Sequence, residues 1–259
     1  MAIALVTGGA KRLGRAVVEK FASSGYACLV HAHASEQDAR ELCQSIVDAG
    51  GKASYFLHKI TDPDAAANAL LDECQRVFGA LPTASVLSAA SYDMDPPGVR
   101  LESLVASQLA LNFLFPAAYC AAIAGRVAGL SEPQRVDRSV TLFTDYKVAK
   151  VNGDMYAYSL SKHALEGSIP YLTAAFAKQI RVNAIAPGPV LAAHGMTQKQ
   201  LEEIVVRSNI SGQTPLMEDI AASALFLAST RSLYGQHLFV DAAARFEMGA
   251  HEFGVKHNA

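Results

Sequence analysis

Short apolar runs at 2–7, 27–33, 53–60, 84–90, 139–144, 181–186 and 237–241 alternate along the chain with helical patterns at 13–23, 36–49, 64–78, 101–125, 156–178 and 217–230. Strand and helix in regular succession predict an α/β fold: a doubly wound parallel sheet of about seven strands with helices on both faces. No Pro/Gly/Ser-rich linker or charge run divides the 259 residues, so a single domain is expected over 1–259. Gly125–Asp137, rich in Gly, Arg, Ser and Pro, reads as a longer loop before the fifth strand.

Composition narrows what such a domain can be. Hydrophobic residues make up 51% of the chain, enough for a large core, yet they are dispersed, and no apolar run of about 18 residues is expected to span a bilayer. Met1-Ala2-Ile3 lacks the basic region of a signal peptide and enters a strand at once, which points to a soluble, cytoplasmic protein. A formal charge of −2 offers no footprint for nucleic acid or an anionic membrane. Cys28, Cys43, Cys74 and Cys120 form no Cys-x-x-Cys pair and sit in apolar segments, as buried free thiols do in a reducing compartment. His31 and His33 stand at strand spacing, but no cysteine or acid completes a metal set around them, and no metal is expected.

Candidate chemistry enters at two places. The first strand runs into Thr7-Gly8-Gly9-Ala10-Lys11-Arg12-Leu13-Gly14 and the helical Arg15–Ala22. Glycines let a backbone approach a pyrophosphate, and a helix start offers unpaired N–H groups and a partial positive charge. The spacing is not G-x-G-x-x-G, because Arg12 stands where the middle glycine usually does, and a glycine-rich turn that holds no ligand would look the same. The second place is Asp145 with Tyr158-Ser159-Leu160-Ser161-Lys162. On a helix Tyr158 and Lys162 share a face, about one turn apart. A phenol has an unperturbed pKa of about 10, and a nearby ammonium is expected to lower it, making Tyr158 a usable proton donor. A solvated helix face can carry the same two residues.

Taken in order, Thr7–Gly14, Asn112, the Tyr158 and Lys162 pair, and Asn183-Ala184-Ile185-Ala186-Pro187-Gly188 resemble the landmarks of the short-chain dehydrogenase/reductase family over nearly the whole chain. The resemblance implies a Rossmann-type domain with a dinucleotide across the carboxyl ends of the strands. Tyr158 would be the acid, Lys162 would tune it and hold the nicotinamide ribose, and Asn112 would shape the helix through which water reaches Lys162. Leu191–Arg207 would be a mobile substrate loop. Fold analogy and the apolar faces of the helices at 101–125 and 156–178 imply a homotetramer.

Most members carry a serine thirteen residues before the tyrosine, where this chain has Asp145. An aspartate there, with Lys11-Arg12 in the glycine turn, is similar to the pteridine reductases, as is the stretch Gly25–Ser35. Leu142-Phe143-Thr144-Asp145-Tyr146 is similar to bacterial dihydromonapterin reductases, which reduce dihydropterins and dihydrofolate. The resemblance implies cofactor contacts at Gly8, Lys11, Arg12, Leu13, Gly14, His33, Ser35, Ala89, Lys162, Pro187 and Gly188. It places substrate contacts at Arg12, Ser91, Tyr92, Asp145 and Tyr158, with Tyr92 stacking a flat heterocycle. An ionised carboxylate raises the pKa of a neighbouring phenol, so Asp145 cannot simply replace the serine. In the pterin reading it delivers a proton to the ring through Tyr158 or directly.

Enzymes specific for NAD usually carry an acid at the end of the second strand for the ribose 2′-hydroxyl. None occurs in His31–Ser35, while Arg12, His33 and Ser35 suit a 2′-phosphate, so NADPH is the expected cofactor, although Ala34 stands where the pteridine reductases have an arginine. Lys59, Ser88 and Asp241-Ala242-Ala243 also depart from the family pattern. They leave open a member that binds cofactor with little turnover, and Asp145 and Tyr92 disfavour the other alternative, a generic carbonyl reductase of 3-oxoacyl or sugar substrates.

Overall fold

The computed structural model, described over residues 1–92, 100–131, 137–151, 155–192 and 195–246, is built on one seven-stranded parallel sheet. Its strands are β1 (Ile3–Thr7), β2 (Ala27–Ala32), β3 (Ala53–Leu57), β4 (Ala84–Leu87), β5 (Ser139–Phe143), β6 (Arg181–Pro187) and β7 (His237–Val240), in the order β3-β2-β1-β4-β5-β6-β7. β1 pairs with β2 on one side, Ile3 opposite Ala27, and with β4 on the other, Ala4 opposite Ala84. Strand order therefore reverses at β1. A crevice opens there beyond the carboxyl ends, the usual ligand position in such sheets.

The helices are α1 (Arg12–Ser23), α2 (Glu36–Asp48), α3 (Pro63–Phe78), α4 (Leu101–Leu109), α5 (Phe115–Ala128), α6 (Tyr156–Phe176), α7 (Gln198–Ser208) and α8 (Met217–Ser229). Alternation along β1 and β2 divides the core. Leu5 and Leu29 pack with Leu70, Phe115, Tyr119 and Leu165 beneath α3, α5 and α6, while Val6 and Val30 pack with Val18, Phe21, Leu42 and Leu227 beneath α1, α2 and α8. Every residue of β1, β2, β4, β5 and β6 is buried. Both faces of these strands thus lie within the core, which is why they read as short, mostly apolar runs, with buried polar residues such as His31, Ser85, Thr141, Arg181 and Asn183 among them. All four cysteines are buried free thiols, and burial pushes the Cys28 thiol up to about 12.

Three features differ from the sequence pattern. The helix expected at 101–125 runs from Leu101 to Ala128 and is interrupted by a π-helical turn, Ala110–Leu114, that holds Asn112 buried. Inserted π turns of this kind recur at functional sites. Within it, Glu102–Ala128 is long and apolar enough to cross a membrane by length and composition, with a mean hydropathy of 1.4, against the expectation that no segment is. That average arises from apolar residues interspersed with Gln108 and Asn112 rather than from an unbroken run, and its Phe115, Tyr119, Ile123 and Val127 lie in the core under α3 and α6. Finally, the expected substrate loop Leu191–Arg207 is largely helical. α7 starts on a capping box in which Thr197 Oγ1 accepts from the Gln200 N–H (3.2 Å) and Gln200 Oε1 accepts from the Thr197 N–H (2.8 Å). Residues 132–136 of the expected loop at 125–137, and residues 193–194, lie outside the described residues.

Candidate active site

At the end of β1 the chain turns into α1 through a surface made of backbone. Gly8 adopts φ +64, and Gly14 has no room for a side chain, since a Cβ there would lie 2.2 Å from the Gly8 carbonyl oxygen. Arg12 keeps a glycine-like backbone at φ 53, a left-handed conformation that costs a residue with a Cβ about 1–2 kcal/mol. The first turn of α1 carries no acidic side chain, and Lys11 makes no side-chain capping bond, so its N–H groups remain available to an anion.

Neighbouring strands hold this turn in place. The Gly8 N–H donates to His31 Nδ1 (3.3 Å), His31 Nε2–H donates to the His58 carbonyl (2.9 Å), and the Gly9 N–H donates to the His31 carbonyl (2.9 Å). These partners require the neutral Nε2–H tautomer, in keeping with burial that holds the His31 pKa down at about 4. From the other side the Ser88 hydroxyl donates to the Thr7 carbonyl and the Ala89 N–H donates to Thr7 Oγ1 (3.1 Å). Ser88, a departure from the family pattern, therefore ties the tip of β4 to β1.

Beyond β5, side chains make the surface. Asp145 caps the 3-10 turn Tyr146–Val148, its Oδ1 accepting from the Lys147 N–H (2.9 Å) and its Oδ2 from the Tyr158 hydroxyl (2.7 Å). Lys162, buried one turn along α6 from Tyr158, donates from Nζ to the Phe143 carbonyl (2.7 Å). The expected lowering of the phenol pKa does not occur. Burial and the Asp145 carboxylate push Tyr158 well above the usual phenol value, because the Lys162 ammonium, 5.7 Å from the ring centre, is bonded to a backbone carbonyl while Asp145 takes the hydroxyl. Burial pushes Lys162 down to about 8, opposed by Asp145. The Asn112 amide N–H groups are directed at Gln108 Oε1 (2.8 Å), Ser161 Oγ (3.0 Å) and the Ser91 carbonyl (3.1 Å), and its Oδ1 accepts from the Ser91 N–H (3.0 Å). The π turn thus links the tip of β4 to α6, next to Lys162.

These two surfaces enclose one cleft of about 880 Å³. Of the residues singled out from sequence it is lined by Gly8, Lys11, Arg12, Leu13, Gly14, His33, Ala89, Tyr92, Asp145, Tyr158, Lys162, Pro187 and Gly188. Ser35 stands off the wall at the head of α2, and Ser91 and Asn112 lie behind it. Lys11 is paired with Asp38 (2.9 Å), whereas Arg12 donates to the Ala192 carbonyl (3.3 Å) and meets no acid among the described residues. Tyr92, 47% exposed, meets Tyr158 edge to face, with ring centres 4.8 Å apart. Gly188 packs against Asp241, whose carboxylate accepts from the Ala243 and Arg245 N–H groups; Ala242 (φ 47) and Ala243 (φ 65) there hold left-handed backbone.

Sequence reasoning missed His31 as the strap, His58 and Lys147 in the wall, and Met196, Leu201 and Ile204 closing it from the α7 side. Leu201 and Ile204, three residues apart behind the Thr197/Gln200 cap, carried the helical signal that could have found them.

A family model described as "Enoyl-(Acyl carrier protein) reductase" matches residues 8–243. Among curated relatives, momilactone A synthase of Oryza sativa subsp. japonica is 31% identical over 255 residues, covering 92% of this chain and 88% of the relative. Short-chain dehydrogenase reductase 4 of Arabidopsis thaliana is 32% identical, covering 92% and 80%. Among solved structures, FolM alternative dihydrofolate reductase 1 from Brucella suis in complex with NADP superposes with a TM-score of 0.85 at 28% identity, covering 96% and 97% of the two chains. The Brucella canis protein, also with NADP, gives 0.86 at 27% identity, covering 97% of each.

Proposed function

The chain belongs to the short-chain dehydrogenase/reductase family, and on that footing we propose that it is an NADPH-dependent reductase of a pterin-type substrate. The observation that carries this reading is the 2.7 Å hydrogen bond between Tyr158 and Asp145, an aspartate where most of the family has serine, in the wall of the cleft. The two structural relatives named as dihydrofolate reductases support it.

The residues present fit a dinucleotide. Gly8 and Gly14 leave the turn bare of side chains, and Lys162, a buried ammonium with one hydrogen-bond acceptor, has donors left for a ribose. Arg12 and His33 would meet the 2′-phosphate, the Gly8–Gly14 turn the pyrophosphate, and Ala89, Pro187 and Gly188 the nicotinamide side. When bound, NADPH supplies the hydride. This chain supplies the proton. The Tyr158 hydroxyl, hydrogen-bonded to Asp145, would give that proton. A ring nitrogen within reach of the hydroxyl would take that proton, and the Lys162 ammonium nearby would stabilise the phenolate left behind.

NADPH oxidation assayed with dihydropterins, dihydrofolate and simple ketones tests the reading. Reduction of a dihydropterin, with its preference over ketones lost in Asp145→Ser, is the expected outcome; turnover of ketones alone would leave a generic carbonyl reductase, in line with curated relatives not named for pterins. We also infer a homotetramer, from Leu114, Leu160 and Tyr171, large apolar side chains exposed along the two long helices. Light scattering checks it, and a strict monomer at micromolar concentration would exclude it.

A further inference from the structure

One cation on the β5 side of the cleft has no counter-charge among the described residues. Lys147, two residues past Asp145, lines the cleft and is half-buried. Its ammonium approaches the Met155 sulfur (3.7 Å) and the Tyr92 ring, 5.8 Å from the ring centre, and among the described residues it pairs with no carboxylate. A thioether is a weak acceptor, and a ring contact of this kind compensates only part of what an ammonium loses when it leaves water.

The other cations of the wall differ in partner or in place. Lys11 is paired with Asp38 and Lys162 is bonded to Phe143 in the field of Asp145, while Arg12 in the glycine turn and the exposed Lys59 beyond β3, which also meet no acid among the described residues, stand at the β1–β3 end of the sheet. That turn follows β1, whereas Lys147 follows β5, two strands along the sheet, so the positive charge of Lys147 is set apart from the phosphate-binding end. Asp145 is the one carboxylate among the described lining residues, and both its oxygens are occupied, by Tyr158 and by the Lys147 backbone N–H.

We propose that Lys147 is a specificity-determining residue that binds an anionic group carried by the substrate outside the ring being reduced. The site then prefers a heterocycle whose side chain ends in a carboxylate, as in dihydrofolate, over an uncharged dihydropterin. This rests on the pterin reading and adds the charge of the side chain to it. Tyr92, between Lys147 and Tyr158 in the chain of contacts, gives a flat ring its stacking face and leaves the ammonium for what projects beyond.

The test compares KM and kcat for dihydrofolate and dihydrobiopterin in the full-length protein and in Lys147→Gln and Lys147→Arg. Lys147→Gln raises KM for dihydrofolate about tenfold or more by removing a charge-assisted contact, leaves kcat unchanged, and alters neither constant for dihydrobiopterin; Lys147→Arg restores the difference. Should the glutamine variant not fold, judged by NADPH fluorescence titration, the unmodified protein still decides. Added salt raises KM for dihydrofolate alone if the contact is ionic. Equal shifts for both substrates, or none, overturn the role of Lys147 and leave the pterin reading standing. Failure to reduce either substrate removes the pterin reading and this inference with it.

Discussion

At the glycine turn the surface of the cleft is backbone, and the side chains of His31, Ser88 and Thr7 serve to hold that backbone in place. Past β5 the relation is reversed: the Phe143 carbonyl and the Lys147 N–H hold the side chains of Lys162 and Asp145, which themselves form the wall. The two ends answer differently to a change of residue type. Arg12 replaces a glycine and the turn survives, at the cost of a left-handed backbone. Asp145 replaces a serine and the surroundings of the phenol change: on top of burial, its carboxylate takes the Tyr158 hydroxyl and pushes the phenol pKa up.

The contrast can be broken at either end. Tyr158→Phe removes the proposed proton donor and should lower kcat by about 10²–10⁴ while NADPH still binds, since the turn is untouched; parallel loss of NADPH affinity in fluorescence titration would show that the ends are not separable. Gly14→Ala should do the converse. Its Cβ meets the Gly8 backbone at 2.2 Å, and a misfit of roughly 1–3 kcal/mol lowers NADPH affinity by about 10- to 100-fold. Wild-type affinity in that variant would mean the turn relaxes freely.

The pH dependence sharpens the comparison. In the proposed reaction Lys162 works as an ammonium, and burial has lowered its pKa to about 8. The kcat/KM for NADPH should hold below that pH and fall about tenfold per unit above it; a profile flat to about pH 10, the ordinary lysine range, would detach Lys162 from the reaction. For stability its sign is opposite. The folded-state pKa lies below the unfolded value, so the contribution of Lys162 to the ligand-free fold improves as pH rises from about 8 towards the ordinary lysine value. Loss of activity in that window is therefore not unfolding caused by Lys162. The smallest effect concerns strain. Ala243→Gly, at φ 65, exchanges a left-handed penalty of about 1–2 kcal/mol for a glycine entropy cost of about 0.5–1 kcal/mol. Chemical denaturation should show a gain of about 1 kcal/mol, and a loss would mean the Ala243 methyl is needed for packing.

The same division governed what could be read from the sequence. Strands of a parallel sheet appear as short, mostly apolar runs between helical patterns, so β1 to β7 were all anticipated, the half-buried β3 and β7 included, and the Thr7–Gly14 turn was visible because its glycines answer a backbone demand that few other residues meet. α7 was hidden by Lys199, Glu202, Glu203 and Arg207, which leave only a thin apolar stripe, although its cap was in plain view at Thr197 and Gln200. Periodicity put Tyr158 and Lys162 on one face but said nothing of which acceptor the ammonium reaches. That acceptor is the Phe143 carbonyl, from a strand nineteen residues earlier, and it is burial, followed by the Asp145 carboxylate, that sets the shift of the phenol. His31 was noticed for a metal it had no partners for, whereas its bonds run to backbone groups of Gly8 and His58 that no side-chain pattern records.

The bond between Tyr158 and Asp145 also sets an entrance requirement. In the resting protein the proposed proton donor is already engaged, and a hydrogen bond to a charged acceptor contributes about 1.5–3 kcal/mol. A molecule entering the cleft must displace a carboxylate as the partner of that hydroxyl before any proton can move. A weakly basic ketone oxygen competes poorly, while a more basic ring nitrogen, whose affinity for the proton grows as hydride arrives, competes well. The pair thus sorts visitors by acceptor strength, a selection that would operate even among molecules of identical outline.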